Sequence, residues 1–159
     1  MRNYISKFNV DRGMETWPED IVVYKRVLLR RDGELTNAAV DSERKYKYVV
    51  GEVMTAVNNE GKEEVKFSKP VVSGLCLLKG GGLFSCFKEK ESVEKLCSLI
   101  NSDEFYNRET KKNNKGEEVE NKDYGRAVIA KCIIPAFSKY WKFENGELGA
   151  QKLKILKVL

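Results

Sequence analysis

Lys79-Gly80-Gly81-Gly82 is the segment best suited to holding an anion, because consecutive glycines let backbone amides close on a charged ligand. Its spacing matches neither GxGxxG nor the P-loop pattern. A second apolar run, Leu83-Phe84-Ser85-Cys86-Phe87, precedes the next helix, so no helix N-terminus follows the glycines as a phosphate cradle requires. The other reading is a tight connector. Four cysteines stand at 76, 86, 97 and 132 without a CxxC pair, and the 159 residues include no histidine. Histidine is the usual general acid/base near neutral pH and the commonest metal ligand. Its absence removes Ser-His and Cys-His pairs, histidine zinc sites and histidine phosphotransfer together. The expectation is no metal, no cofactor and no catalytic set. Cys76, Cys97 and Cys132 lie beside Leu or Ile and read as small buried hydrophobes in a reducing compartment, whereas Cys86, between Ser85 and Phe87, is the best placed for exposure.

Two Glu-x-Glu triplets, Glu89-Lys90-Glu91 and Glu118-Val119-Glu120, supply paired carboxylates. In ADP-ribosyl transfer from NAD, one such carboxylate holds a ribose hydroxyl and the other activates the acceptor, with an Arg on an early strand and a Ser on a later one. Arg26 or Arg30 and Ser73 or Ser85 are the candidates for those parts. The competing reading is that both triplets sit on solvated faces of a Glu-rich chain. An ADP-ribosyltransferase-like enzyme is therefore one alternative function.

The net charge of +5 is unevenly placed: residues 126–159 carry the whole excess, with only Glu144 and Glu147 as acids. Here Lys139, Tyr140, Trp141, Lys142 and Phe143 interleave cations with aromatics, as Lys45, Tyr46, Lys47 and Tyr48 do earlier. Such a mixture can stack bases and hold phosphates, or line a protein interface. It is also what amphipathic strand edges look like, with lysine stems covering rings. Lys139, Tyr140, Trp141, Lys142 and Phe143 are the expected partner-binding residues, and nucleic-acid binding through the basic C-terminal third is a second alternative. Lys152, Lys154 and Lys157 either contribute to that surface or line the solvent side of a terminal strand and discourage edge pairing.

These residues must be positioned by a fold whose elements are partly legible. An apolar fraction of 42% with 33% charge is that of a globular domain. Residues 1–20 read as an N-terminal arm packed by Trp17, and 21–159 as a single α+β domain. Ile21 to Leu29 is a β-branched run closed by Asp32-Gly33, a hairpin signal with Leu35 to Val40 as partner. Lys45 to Val53 alternates as a half-exposed strand that Gly51 ends or bulges. After the polar stretch Asn58 to Lys69 come Val71 to Leu78 and Leu83 to Phe87. A helix follows over about 89–100, with Val93, Leu96, Cys97 and Ile100 as its apolar stripe. Residues 108–126 read as a charged mobile loop, and Ala127 to Ile134 and Lys152 to Leu159 as the last strands. The expected architecture is a mixed or antiparallel sheet of five or six strands with one main helix. No apolar run approaches the ~20 residues that span a bilayer, and Met1 to Lys7 lacks an apolar stretch behind its charge. A cytoplasmic protein is expected.

The order Val23-Tyr24-Lys25-Arg26-Val27 with Asp32-Gly33, Tyr48-Val49-Val50-Gly51-Glu52, Ser73-Gly74-Leu75, Phe84 before the helix, Val128 to Pro135 and Lys152 to Leu156 resembles small uncharacterised phage and prophage α+β domains, also found fused to pentapeptide-repeat proteins. The resemblance covers roughly residues 21–159 in outline. Where that group tends to have a basic or polar residue before Gly-Glu, this chain has Val50, and the tract at 80–82 stands as an insertion. The resemblance implies a compact α+β module of mobile-element origin and brings no catalytic residues. Together these readings lead to a small non-enzymatic protein-binding module, phage-encoded and acting on a host defence protein or complex in the host cytoplasm.

Overall fold

The computed structural model describes residues 14–37, 47–56, 66–67, 78–79, 83–143 and 146–159. In chain order the elements are β1 (Ile21–Arg30), β2 (Leu35–Thr36), β3 (Lys47–Tyr48), β4 (Val53–Thr55), β5 (Lys66–Phe67), β6 (Leu78–Lys79), β7 (Phe84–Phe87), α1 (Lys90–Asn101), α2 (Glu104–Asn107), β8 (Thr110–Lys112), β9 (Glu118–Glu120), β10 (Gly125–Ile134), β11 (Tyr140–Lys142), β12 (Glu147–Ala150) and β13 (Lys152–Val158). The glycine tract at 80–82, Ser73, Cys76, Lys45 and Tyr46 lie outside the described residues, as do most of the arm and most of the 58–77 stretch.

The β-branched run of β1 pairs along its whole length with β10, from Ile21↔Ile134 to Arg30↔Gly125. Beyond Arg30 the chain reverses as the Asp-Gly pair predicts: Gly33 takes φ 88°, its N–H donates to the Arg30 carbonyl, and Asp32 Oδ1 accepts from the Glu34 N–H. β2 then returns along the C-terminal half of β1 and pairs with β3, while β7 pairs with β1 near Tyr24. On the other side β10 pairs with β13, and β13 with β4. Only residues 49–52 separate β3 from β4, so the ladder β3-β2-β1-β10-β13-β4 is closed by the chain itself. Gly51 makes that short closure possible at φ 88°, with its N–H on the Ile155 carbonyl.

Period-two alternation along β1 divides its side chains between two cores. Val23, Lys25 and Val27 are buried inside the curled sheet, where Tyr48, Met54, Phe84, Ala130, Cys132, Leu148, Leu153 and Ile155 meet. Leu28 joins Val93, Cys97 and Ala127 on the outer face under α1, with Tyr24, Phe87, Ile100 and Ile129 packed around them. Where β13 stops, the Asn101 carboxamide takes over the edge of β10: Nδ2 donates to the Ala127 carbonyl and Oδ1 accepts from its N–H.

The sheet has nine strands, not five or six, and its ladders are antiparallel. The extra strands come from sequence that does not alternate. Gly51 splits the 45–53 run into β3 and β4, and β12 buries all four of its residues because both of its faces are covered. Gly149 lets the chain pack closely there: a Cβ would meet Leu83 Cδ1 at 2.8 Å and Phe143 Cε2 at 3.2 Å, so those side chains would have to shift. Residues 108–126 are not a loop. They form the β8–β9 hairpin, turned at Gly116 with Asn113 Oδ1 accepting from the N–H groups of Lys115 and Glu117, and then enter β10. The helix runs one residue beyond its expected end; Val93 and Cys97 are its buried residues, and Leu96 is only half-buried.

Truncating Val93 to Ala removes two buried methyls and should cost about 2 kcal/mol. Glu94→Ala, on the exposed side in an i,i+4 pair with Lys90, should cost no more than about 0.5 kcal/mol. Urea denaturation of the two variants measures the difference.

Candidate interaction face

Three polar clusters could carry chemistry, and the fold treats them differently. The first lies in the interior. Lys25, only 4% exposed, donates from Nζ to the Ser85 carbonyl at 2.8 Å and lies 5.6 Å from the centroid of the Tyr48 ring. Ser85 Oγ donates to Glu147 Oε1 at 2.9 Å, and Glu147 is equally buried. Cys86 and Cys132 adjoin this charge. Burial pushes the Cys86 thiol far above the ordinary thiol range, with the Lys25 ammonium opposing and Cys132 and Glu147 adding to the rise. Burial likewise pushes Cys132 up to about 12 against the same ammonium, and raises Cys97. A nucleophilic cysteine requires a thiolate, and these thiols hold their protons at neutral pH. Cys86 is thus fully buried, not exposed as its neighbours in sequence suggest, because β7 turns it inward between β1 and β12. The cluster is a buried polar junction that ties β1 to β7 and β7 to β12.

The second cluster is the set considered for ADP-ribosyl transfer. Arg30 is fully engaged in holding strands together: Nε donates to Thr36 Oγ1, one Nη to the Asp123 carbonyl and the other to the Asn37 carbonyl. Arg26 lies on the helix-covered face and Ser85 on β7 beside Lys25. Arg30 is five residues, roughly 17 Å, further along β1 from Lys25. Glu89 and Glu91 are exposed at the start of α1, and Glu118 and Glu120 are exposed on β9, where Glu120 pairs with Arg31 at 3.3 Å. Arg30 and Glu120 share a shallow surface depression with Asn121 and Tyr124, but Ser85 is not part of it.

The third cluster is at the surface. Among the five expected partner-binding residues only Lys139 and Lys142 are exposed. Tyr140, Trp141 and Phe143 are buried, at 7%, 8% and 2% exposure, so the aromatic contact surface expected of this strand is interior packing. The reason is that β11 is backed on one side by β12 and bridged on the other by Glu15, whose N–H and carbonyl exchange hydrogen bonds with Tyr140. Tyr48 is interior as well, and Lys47 beside it is held by Glu34 at 2.9 Å, which raises its pKa through the hydrogen bond and the opposite charge.

Among the described residues three aromatics are exposed, Trp17, Phe105 and Phe137, and Trp17 and Phe137 come together. The Phe137 N–H donates to the Trp17 carbonyl at 2.7 Å, and the Ala136 N–H to Asp20 Oδ1 at 2.9 Å, so the approach to β1 and the turn after β10 form one tied ridge. Trp17 is 53% exposed and Phe137 71%. Phe137 also has φ 62°, alone among the described non-glycine residues, at a turn position where the Ser138 N–H returns to Pro135. Such a position ordinarily takes Gly or Asn. Beside the ridge runs an open groove of about 670 Å³, lined by Trp17, Ile21, Val22 and Leu148 together with the cations Lys88 and Lys142 and the acids Glu15 and Asp20. Composition could suggest an interface aromatic at Trp17; nothing local marks Phe137, whose exposure comes from the turn.

Among the described residues no three His, Cys, Asp or Glu side chains gather as a metal would need, and no helix is long and apolar enough to cross a membrane. No family model, curated protein or solved structure matches the chain.

Two outcomes follow from the interior cluster. The raised thiols mean that the unfolded chain, with thiols near 8.5, loses those protons first. The stability tied to the neutral thiols is complete below that pH and lost as pH rises toward 12. At pH 8, peptide-resolved alkylation of the native protein should therefore label Cys86 and Cys132 only as fast as the protein unfolds, with Cys97 ahead of both. Lys25→Met keeps the stem but loses a charge-assisted hydrogen bond, and should cost about 1–3 kcal/mol in urea denaturation.

Proposed function

We propose that the chain is a small non-enzymatic protein-binding module whose contact centre is the Trp17–Phe137 ridge and the groove beside it. The observation that carries this reading is Phe137: a bulky residue in a left-handed backbone conformation with most of its ring in water. A non-glycine residue there costs roughly 1–2 kcal/mol, and the exposed ring recovers little of it by burial. Strain without a packing reward is characteristic of a site kept for recognition. A rigid aromatic pair beside a largely apolar groove is the form of an interface hot spot, and the mixed lining of Lys88, Lys142, Glu15 and Asp20 suits a partner with charges of both signs around an apolar anchor point. Lys142 keeps a place in this proposal as a charge lining the groove and Lys139 as an exposed residue just before β11, while Tyr140, Trp141 and Phe143 act as its support. The phage-like outline of the sequence supplies the setting: an inhibitor that occupies a host defence protein. ADP-ribosyl transfer is less well supported, because the described Arg, Ser and Glu candidates do not converge on one depression.

Phe137→Gly relieves the backbone, and against the entropy gained by the unfolded chain it should be neutral to about 1 kcal/mol stabilising. Trp17→Ala should likewise leave the fold intact. In affinity capture from bacterial lysate followed by quantitative mass spectrometry, a prey retained by the wild type should be lost with either variant. A prey retained equally by both variants, or a Phe137→Gly protein destabilised by more than about 1 kcal/mol, would show that the ridge is structural.

A further inference from the structure

The register of the C-terminal strands creates a second surface, independent of the ridge. Strand pairing sets cross-strand neighbours on the same face, so the outer side of the sheet can be read in rows. One row runs Val22, Ile133, Lys154, Val53; the next runs Tyr24, Lys131, Lys157; and Lys152 lies opposite Thr55 beyond them. No acidic residue occupies any of these positions. None of Lys131, Lys152, Lys154 and Lys157 is within salt-bridge distance of a carboxylate among the described residues.

Lys131 and Lys157 are directly opposite one another, an arrangement that destabilises a sheet. A β-bulge produces it. Between the pairs Cys132↔Ile155 and Lys131↔Lys157 the strand β13 contains one extra residue, Leu156. In unbroken register Leu156 would oppose Lys131 and Lys157 would oppose the buried Ala130 on the inner face. The extra residue brings Lys157 onto the outer face beside Lys131, and bulges commonly re-aim a side chain in this way. Edge protection accounts for a lysine on β13 but not for Lys131, because β10 is covered on both sides at that point.

We infer that this lysine face binds the phosphate backbone of nucleic acid. Its cations are spaced about 5 Å across the Lys131–Lys157 pair and about 7 Å between Lys152 and Lys154 along β13, on the outer side of the sheet, an arrangement suited to a partner that repeats one charge. The chemistry separates this from an acidic protein: lysine is depleted at protein interfaces and arginine forks are preferred for carboxylates, whereas phosphate contacts that carry no sequence information take lysine as a point charge. Tyr24 and Phe87, the aromatics that continue the Lys131–Lys157 row, pack against the cluster under α1, so binding is to the backbone without base stacking.

The test is fluorescence anisotropy of a short fluorescein-labelled DNA duplex of mixed sequence, titrated between about 50 and 200 mM salt. Replacing Lys131, Lys154 and Lys157 together with Gln should weaken binding at low salt about tenfold or more and lower the slope of log K against log salt by about 0.9 for each lysine that touches a phosphate. The matched control, with Lys111, Lys112 and Lys115 of the β8–β9 hairpin replaced by Gln, should bind as the wild type does. Thermal melts of both variants confirm the fold. Equal losses in the two variants would reduce the effect to net charge and overturn the inference. Absence of binding by the wild type at low salt would overturn it too, as would displacement of the duplex by polyglutamate at equal charge concentration. The ridge variants Trp17→Ala and Phe137→Gly should leave duplex binding unchanged, which separates this surface from the protein-binding reading.

Discussion

The ten-residue antiparallel ladder between β1 and β10 is the constraint on which the other elements depend. It is the longest pairing among the described residues, and its alternation decides which residues face the curled interior and which face α1. The rest of the nine-stranded sheet grows outward from its two members: β2 and β7 attach to β1 and β13 to β10, and β3, β12 and β4 attach to those in turn. A slip of one residue would turn one of the two strands over relative to the other. It would either send Val23 outward and bring Arg26 into the core or do the same with Cys132 and Lys131, so the register is held by burial on both sides rather than by hydrogen bonds alone.

Within that frame the interior is not purely apolar. Lys25, Ser85 and Glu147 occupy the place where β7 leaves the side of β1, and their hydrogen bonds tie β1 to β7, which share one register pair, and β7 to β12. Buried polar groups cost free energy unless satisfied. Here they specify how the β7–β12–β11 branch meets the closed part of the sheet. The same burial that makes this junction specific keeps Cys86 and Cys132 protonated, so the feature closest to a reactive centre is chemically quiet.

The surface divides into two regions with different physics. At one end the Trp17–Phe137 ridge keeps aromatic rings in water at the cost of backbone strain. On the outer face of β10 and β13, a bulge gathers lysines that repel one another. In both places the molecule gives up stability locally, while the core beneath is close-packed: a carbon added at Gly149 would displace Leu83 and Phe143. Local disfavour over a well-packed support is how binding surfaces differ from the remainder of a protein.

Much of the scaffold was legible in the chain. The β-branched run of β1, the Asp-Gly turn, the stop at Gly51, the 3.6-residue stripe of α1 and the terminal strands are local signals, each encoded within about a dozen residues, and the α+β, sheet-rich character follows from them. Composition also located the positive charge in residues 126–159. Local pattern could not say whether an aromatic beside a lysine points in or out. Tyr140, Trp141 and Phe143 are interior because β12 and Glu15 flank β11, and both neighbours come from elsewhere in the chain. The β8–β9 hairpin escaped notice because its solvated residues carry no apolar alternation. Phe137 and the Lys131–Lys157 pair were invisible for the same reason: a turn conformation and a strand register are set by partners distant in sequence. Which residues are apolar and which are charged was written in the chain, but which of them meet depended on the pairing of β10 with its two neighbours.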